Sequence, residues 1–225
     1  MTDDPFDALD AEAARLDGYF ADLDGDRWRV ASRCDGWDRR AILAHLIGIE
    51  QYIQACLDDR VAAYASQAGS DVGYEDFNEY MVASMADVDT DELVSRWHHL
   101  MTEQHARLRE RGADSLIETH AGPYPLGRQT WYFASELAIH ADDIDAPVTD
   151  EERAERQAWR LRFGLDALRE SERGVEVTET PEGFLVSDAE QSVKLSRADL
   201  VEALSGRLKD SRVPSSLRDA LVALA

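Results

Sequence analysis

Positive charge is what this chain has least of. Its 225 residues carry 24 lysines and arginines against 46 aspartates and glutamates, a formal net charge of −22. Only Lys194 and Lys209 are lysines. Such a chain has no basic face for phosphates, which argues against nucleic acid as a partner. An anionic membrane surface would repel it as well. Long apolar runs are missing: none reaches the roughly 18 residues needed to span a bilayer. The opening stretch MTDDPFDALDAEAARLDGYF is acidic and lacks the basic start and apolar centre of a signal peptide. Cysteine is scarce too. Cys34 and Cys56 make neither a disulfide framework nor a CxxC pair. These absences predict a cytoplasmic protein, monomer or homodimer, with no nucleic-acid or membrane partner.

What is present suits a packed helical core. Hydrophobic residues make up 44% of the chain, enough to exclude wholesale disorder. Four amphipathic stripes stand out. The first helix should start at Pro5 behind an Asp4 cap, bury Phe6, Leu9, Leu16, Phe20 and Leu23, and end near Asp24-Gly25. The second should run from Asp38 to about Arg60, with Ile42, Leu46, Ile49, Ile53 and Cys56 inward. The third, TDELVSRWHHLMTEQHARLRERG, is capped by Asp89 and stopped by Gly112. Its stripe is Leu93, Trp97, Leu100, Met101 and Leu108, which leaves His98, His99 and His105 for solvent. The fourth should run from about Thr130 to Asp145, ended by Pro147.

The intervening segments are less regular. Residues 61–89 read as a loop around QAGSDVGYEDF and a short helix in NEYMVASMAD, partly mobile and near a cavity mouth. Residues 113–129 read as a connector broken by Pro123 and Pro125. After Pro147 come a helix, a hairpin of VEVTET and FLVSD, a third strand SVKLS and two short helices. The fold class is therefore mainly α: a four-helix bundle over residues 1–148, then a small α+β domain over 149–225.

Chemistry concentrates in YFASELAIHADDID. Glu136 and His140, four residues apart, lie about 40° apart around a helix and can grip one divalent ion from one side. His45 points inward from the second helix and is either a hydrogen-bonded core histidine or the third ligand. Two imidazoles and a carboxylate, with a fourth position open, are the pattern of catalytic zinc, and they also suit nickel, iron or manganese. The bland reading of Glu136 and His140 is an exposed i,i+4 pair, but both fall on an apolar stripe, where an unpaired carboxylate is costly. Asp143 is either an acceptor that orients His140 or a helix-end acid.

These residues resemble a family. GWDRRAILAHLIGIEQYI, with Trp37 and His45, and SELAIHADDI, with Glu136, His140 and Asp143, are similar to the two motif segments of the DinB-like bundle of mycothiol-dependent maleylpyruvate isomerases. Their order, their separation and the following α+β unit also resemble that family's layout. The resemblance implies a zinc ion held by His45, Glu136 and His140, with mycothiol activated at the open position. It also implies a substrate-handling arginine after a leucine-rich stretch, here LVEALSGRL. Arg207 is the candidate, able to hold a carboxylate bidentately or merely a helix-terminal cation. Residues 61–89 match no family motif and are expected to shape the substrate pocket.

The leading functional expectation is a metal-dependent thiol transferase or isomerase. It would use mycothiol or a similar low-molecular-weight thiol against a small electrophile. The alternatives are metal-assisted hydrolysis, with water at the open position, and a non-catalytic binding or stress-response protein on the same bundle.

Overall fold

The computed structural model describes residues 3–69, 73–209 and 213–224. Helix α1, Pro5–Ala21, begins as the spacing predicts: the Asp4 carboxylate accepts the Phe6 N–H at 2.8 Å, ahead of a proline at the first helical position. It stops short of the expected Asp24-Gly25. The chain turns through a 3-10 segment, Gly25–Arg29, that stacks Trp28 on Phe20 with ring centroids 5.8 Å apart. Helix α2, Arg39–Leu57, is capped by Asp38, whose side chain accepts the Ala41 N–H at 2.9 Å. It ends three residues before Arg60, where Asp59 takes the left-handed conformation, φ 55°.

Residues 61–89 hold more helix than the sequence reading expects. Helix α3 covers Val61–Ala65 and α4 covers Tyr74–Ser84. The expected loop thus gives way to helix from Tyr74 onward, while Ser70, Asp71 and Val72 lie outside the described residues. Arg40 of α2 donates to the carbonyls of Met85, Ala86 and Val88, tying the exit of α4 to the bundle. Helix α5, Thr90–Arg111, keeps the expected Asp89 cap and Gly112 stop.

The connector 113–129 is a second departure. It is a β-hairpin, β1 Leu116–Thr119 paired with β2 Gly122–Pro125, and α6, Leu126–Asp143, follows at once. Pro123 and Pro125 do not break a helix here. They sit on a two-stranded edge, where a missing N–H is tolerated, and Pro125 becomes the residue from which α6 starts. The turn needs Gly122, whose φ is +97°.

Asp4–Pro147 forms one compact unit. Within it α1 packs on α6 and α5, and α2 packs on α5. Trp97, Leu93, Leu108, Phe20, Leu16 and Ile42 are buried at the centre. Each such large apolar side chain contributes roughly 1.5–3 kcal/mol of transfer free energy.

Asp3 with residues 148–209 and 213–224 forms the other unit. Helix α7, Asp150–Glu170, starts with a full capping box between Thr149 and Glu152. Strands β3 Glu176–Thr180, β4 Gly183–Ser187 and β5 Ser192–Leu195 form an antiparallel sheet in sequence order. Helices α8, Arg197–Leu204, and α9, Ser215–Leu221, complete it around Val186, Leu200, Leu204 and Leu217. The fold is thus mainly helical, a bundle followed by a small α+β unit. Among the described residues no helix is long and apolar enough to cross a membrane.

Candidate metal centre

Helices α2 and α6 bring His45, Glu136 and His140 together across ninety residues of sequence. One ligand atom from each lies within 4.8 Å of the others. Glu136 Oε1 is 2.9 Å from His45 Nε2 and 3.3 Å from His140 Nε2. The two rings meet edge to face with centroids 4.7 Å apart. The imidazoles are buried, 3% and 6% exposed, whereas the carboxylate keeps 21% of its surface. The cluster is therefore walled on its histidine side and accessible from the carboxylate side.

Behind His140 lies Asp143, one turn along α6. Its Oδ2 stands 3.1 Å from His140 Nδ1, and its side chain is fully buried. A carboxylate there accepts the Nδ1 proton, so Nε2, the nitrogen that faces Glu136, is the one that can give up its proton to a cation. The tautomer that results is the one a metal ligand requires.

The strand-like turn before α2 adds two residues. Ser32 and Trp37 pair through the Ser32 N–H to the Trp37 carbonyl at 2.9 Å, with Gly36 at φ +82° making the reversal. This sets the Trp37 ring 5.1 Å from that of His45 and 6.5 Å from that of His140. Its indole N–H donates to Glu79 Oε1 at 2.8 Å, so α4 holds the cover in place. The same turn presents Cys34, whose thiol donates to Asp143 Oδ2 at 3.2 Å and lies 3.9 Å from His140 Nδ1. The sequence shows Cys34 only as one of two cysteines that form neither a disulfide framework nor a CxxC pair. No spacing signal links it to residues 106 and 109 positions away, since it is the turn geometry that closes the distance.

Electrostatics bind the cluster tightly. Burial alone would raise the Glu136 carboxyl, but hydrogen bonds from His140 and His45 outweigh it and hold the group below the usual carboxylate range. Burial would lower His140, yet Asp143, Cys34 and Glu136 together hold it well above the ordinary histidine value. Two nitrogens and a carboxylate oxygen converging in this way, with a hydrogen-bonded acceptor behind one ring, fit a divalent cation by the chemistry of the donor set. A second group, Cys34, His140 and Asp143, occupies the opposite edge of the His140 ring, and its hydrogen bonds already engage each member.

The histidines of α5 divide. His98 and His99 are exposed, facing Asp17 at 3.0 Å and Glu103 at 3.6 Å. His105 corrects the expectation. It is 6% exposed and bridges Asp10 Oδ1 and Glu50 Oε1, each at 3.1 Å. Gln104 and His105 continue the buried face between Trp97 and Leu108, and acids on α1 and α2 meet His105 there. Arg207 belongs to the C-terminal unit, just past α8. Its N–H reaches the Glu202 carbonyl at 2.8 Å and its guanidinium the Ser205 carbonyl at 3.4 Å.

Beside His45 a cavity of about 220 Å³ opens between α2, α3, α4 and the turn of the β1–β2 hairpin. His120, in that turn, faces the Tyr52 hydroxyl at 3.2 Å. Sequence reading assigned His120 no role, because the hairpin that places it was not expected.

Comparison with known proteins gives the family and the fold. The family described as mycothiol maleylpyruvate isomerase N-terminal domain matches residues 9–145. A crystal structure of the mycothiol-dependent maleylpyruvate isomerase is 19% identical, with a TM-score of 0.68 and coverage of 93% of both chains. A histidine mutant of the mycothiol-dependent maleylpyruvate isomerase is 18% identical, with a TM-score of 0.66, covering 90% of this chain and 88% of its own. At these identities the likeness establishes the fold. No curated protein matches the chain.

Proposed function

The chain belongs to the mycothiol maleylpyruvate isomerase N-terminal domain family, and on that premise we propose that it is a thiol-dependent transferase or isomerase. A low-molecular-weight thiol, mycothiol or a close analogue, adds to an electrophilic carbon of a small molecule at the His45–Glu136–His140 centre. The observation that carries this reading is the convergence of those three donors within 4.8 Å in a partly open, otherwise buried cluster. His45, Glu136 and His140 would hold a divalent cation, zinc first among the candidates. Such a cation supplies Lewis acidity, which favours the ionised form of a nearby thiol at neutral pH.

The chain's own groups do the positioning. Asp143 Oδ2 holds the His140 Nδ1 proton and so fixes which nitrogen faces the site. Glu136 stays ionised, adding a negative charge that helps retain a cation. Trp37 covers the two imidazoles and keeps bulk water from their ring faces. In an isomerisation the thiol would add to a carbon–carbon double bond, the new single bond would rotate, and elimination would return the thiol unchanged. In a transfer the carbon–sulfur bond remains. In the C-terminal unit we assign Arg207 the holding of a carboxylate.

The test is thiol-dependent turnover. Purified protein with mycothiol should consume an activated alkene, and mycothiol should raise its melting temperature by linkage. His140→Ala should abolish turnover while remaining folded. Turnover at an unchanged rate in that variant would contradict the proposal.

A further inference from the structure

The cavity beside His45 has walls that specify chemistry. Ile49, Val61, Phe77 and Met81 supply aliphatic, phenyl and thioether surface, and Tyr52 and Tyr64 present their rings. The aromatic side chains brace one another. Tyr64 lies 5.1 Å from Phe77 and 6.1 Å from Tyr52, centroid to centroid, and Tyr52 lies 6.3 Å from Phe133. The Tyr64 hydroxyl donates to the Gly48 carbonyl at 2.7 Å, so this tyrosine offers the cavity mainly its ring. Polar atoms are few: the His45 imidazole at one side, and Asn78, His120 and the Tyr52 hydroxyl elsewhere in the lining. Among the described lining residues there is no lysine, arginine, aspartate or glutamate.

Resting on the thiol-transfer reading above, we infer that this cavity holds an uncharged electrophile, an α,β-unsaturated ketone or aldehyde with an aromatic or bulky aliphatic body, rather than a dicarboxylic acid. A carboxylate seated away from the His45 end would lose its water and meet phenyl, phenol and thioether surface, where no described lining residue offers a cation to replace it. The chain's charge of −22 adds repulsion to a dianion on approach. A carbonyl oxygen, by contrast, needs one hydrogen-bond donor, which the amide of Asn78 or the imidazole of His120 can provide. The apolar body then fills the aromatic wall, and His45, shared by cavity and cluster, puts the reactive carbon next to the thiol site. The step balances without an oxidant. The thiol sulfur bonds to the β-carbon, the double-bond pair moves to the carbonyl as an enolate, and the proton given up by the thiol returns to the α-carbon.

The experiment uses a matched pair, 4-phenylbut-3-en-2-one and the same ketone bearing a 4-carboxylate on its ring. Without thiol, each is titrated into the full-length protein by calorimetry. The uncharged ketone should bind at least about tenfold more tightly, and Phe77→Arg should erase that preference by placing a guanidinium in the wall. Equal or tighter binding of the carboxylate by the wild-type protein, or no binding of either ketone, overturns the inference. With mycothiol added, turnover is scored separately. Preferred binding of the uncharged ketone without turnover leaves the cavity assignment standing and removes the thiol-transfer reading. Turnover with the carboxylate preferred does the reverse.

Discussion

The two cysteines show how much one side chain's surroundings decide. Cys56 is fully buried in α2, and burial pushes its thiol up to about 12. Cys34 is half-buried at the rim of the candidate centre. Alkylation of the native protein with iodoacetamide should therefore label Cys34 alone, with Cys56 modified only in denaturant. Peptide mass mapping checks this, and native labelling of Cys56 would show that α2 is not packed as described. At this scale the sequence was legible where helical spacing carries the signal. Glu136, His140 and Asp143 share one face at i, i+4 and i+7, and His45 falls on the inward stripe of its own helix. It was illegible for Cys34 and His120, which enter the neighbourhood through turns, where no periodicity points inward.

Helix pairing makes a different prediction from His105. Burial would lower its pKa, but Glu50 and Asp10 outweigh that and raise it from 6.5 to about 9. A group held above its unfolded value contributes stability that is fully present below pH 6.5 and is lost as pH rises through 9. At 1.36 kcal/mol per unit the contribution is on the order of 3 kcal/mol. Urea unfolding should show stability falling between these pH values in the wild type. His105→Gln should flatten that fall and weaken the protein at pH 6, because Glu50 is left buried and unpaired. An identical pH dependence in both proteins would contradict the bridge. Three of the long helices were readable from their caps, Asp4, Asp38 and Asp89, whereas α6 starts four residues before the expected Thr130, behind Pro125 and without a side-chain cap. The hairpin before α6 was not readable, since Pro123 and Pro125 signal only that helix is forbidden, and two four-residue strands offer almost no alternation. The burial of His105 was hidden because its partners Asp10 and Glu50 lie on other helices.

For the molecule as a whole, the charge of −22 dominates. Like charges crowd together on folding, so screening should stabilise the native state. The melting temperature should rise by several degrees between roughly 0.05 and 1 M sodium chloride, with the Debye length falling to about 3 Å at the upper end. A fall over that range would mean that attractive surface pairs, such as Arg109 with Asp7 and Asp10, outweigh the net repulsion. Composition revealed this much without any structure. The cavity beside His45 was beyond its reach, because its wall comes from α2, α3, α4 and a turn that no single stretch of sequence brings together.

On the proposed function, His45, Glu136 and His140 form a metal centre on which thiol chemistry depends. The most direct measurement is elemental analysis of protein purified without added metal, alongside His45→Ala and Glu136→Ala, with thiol-dependent turnover assayed on the same samples. About one divalent ion per wild-type chain is expected, as for a single three-ligand site, with its loss in both folded variants and turnover lost with it. A wild-type protein that is free of metal and fully active, or variants that keep both metal and activity, would contradict it.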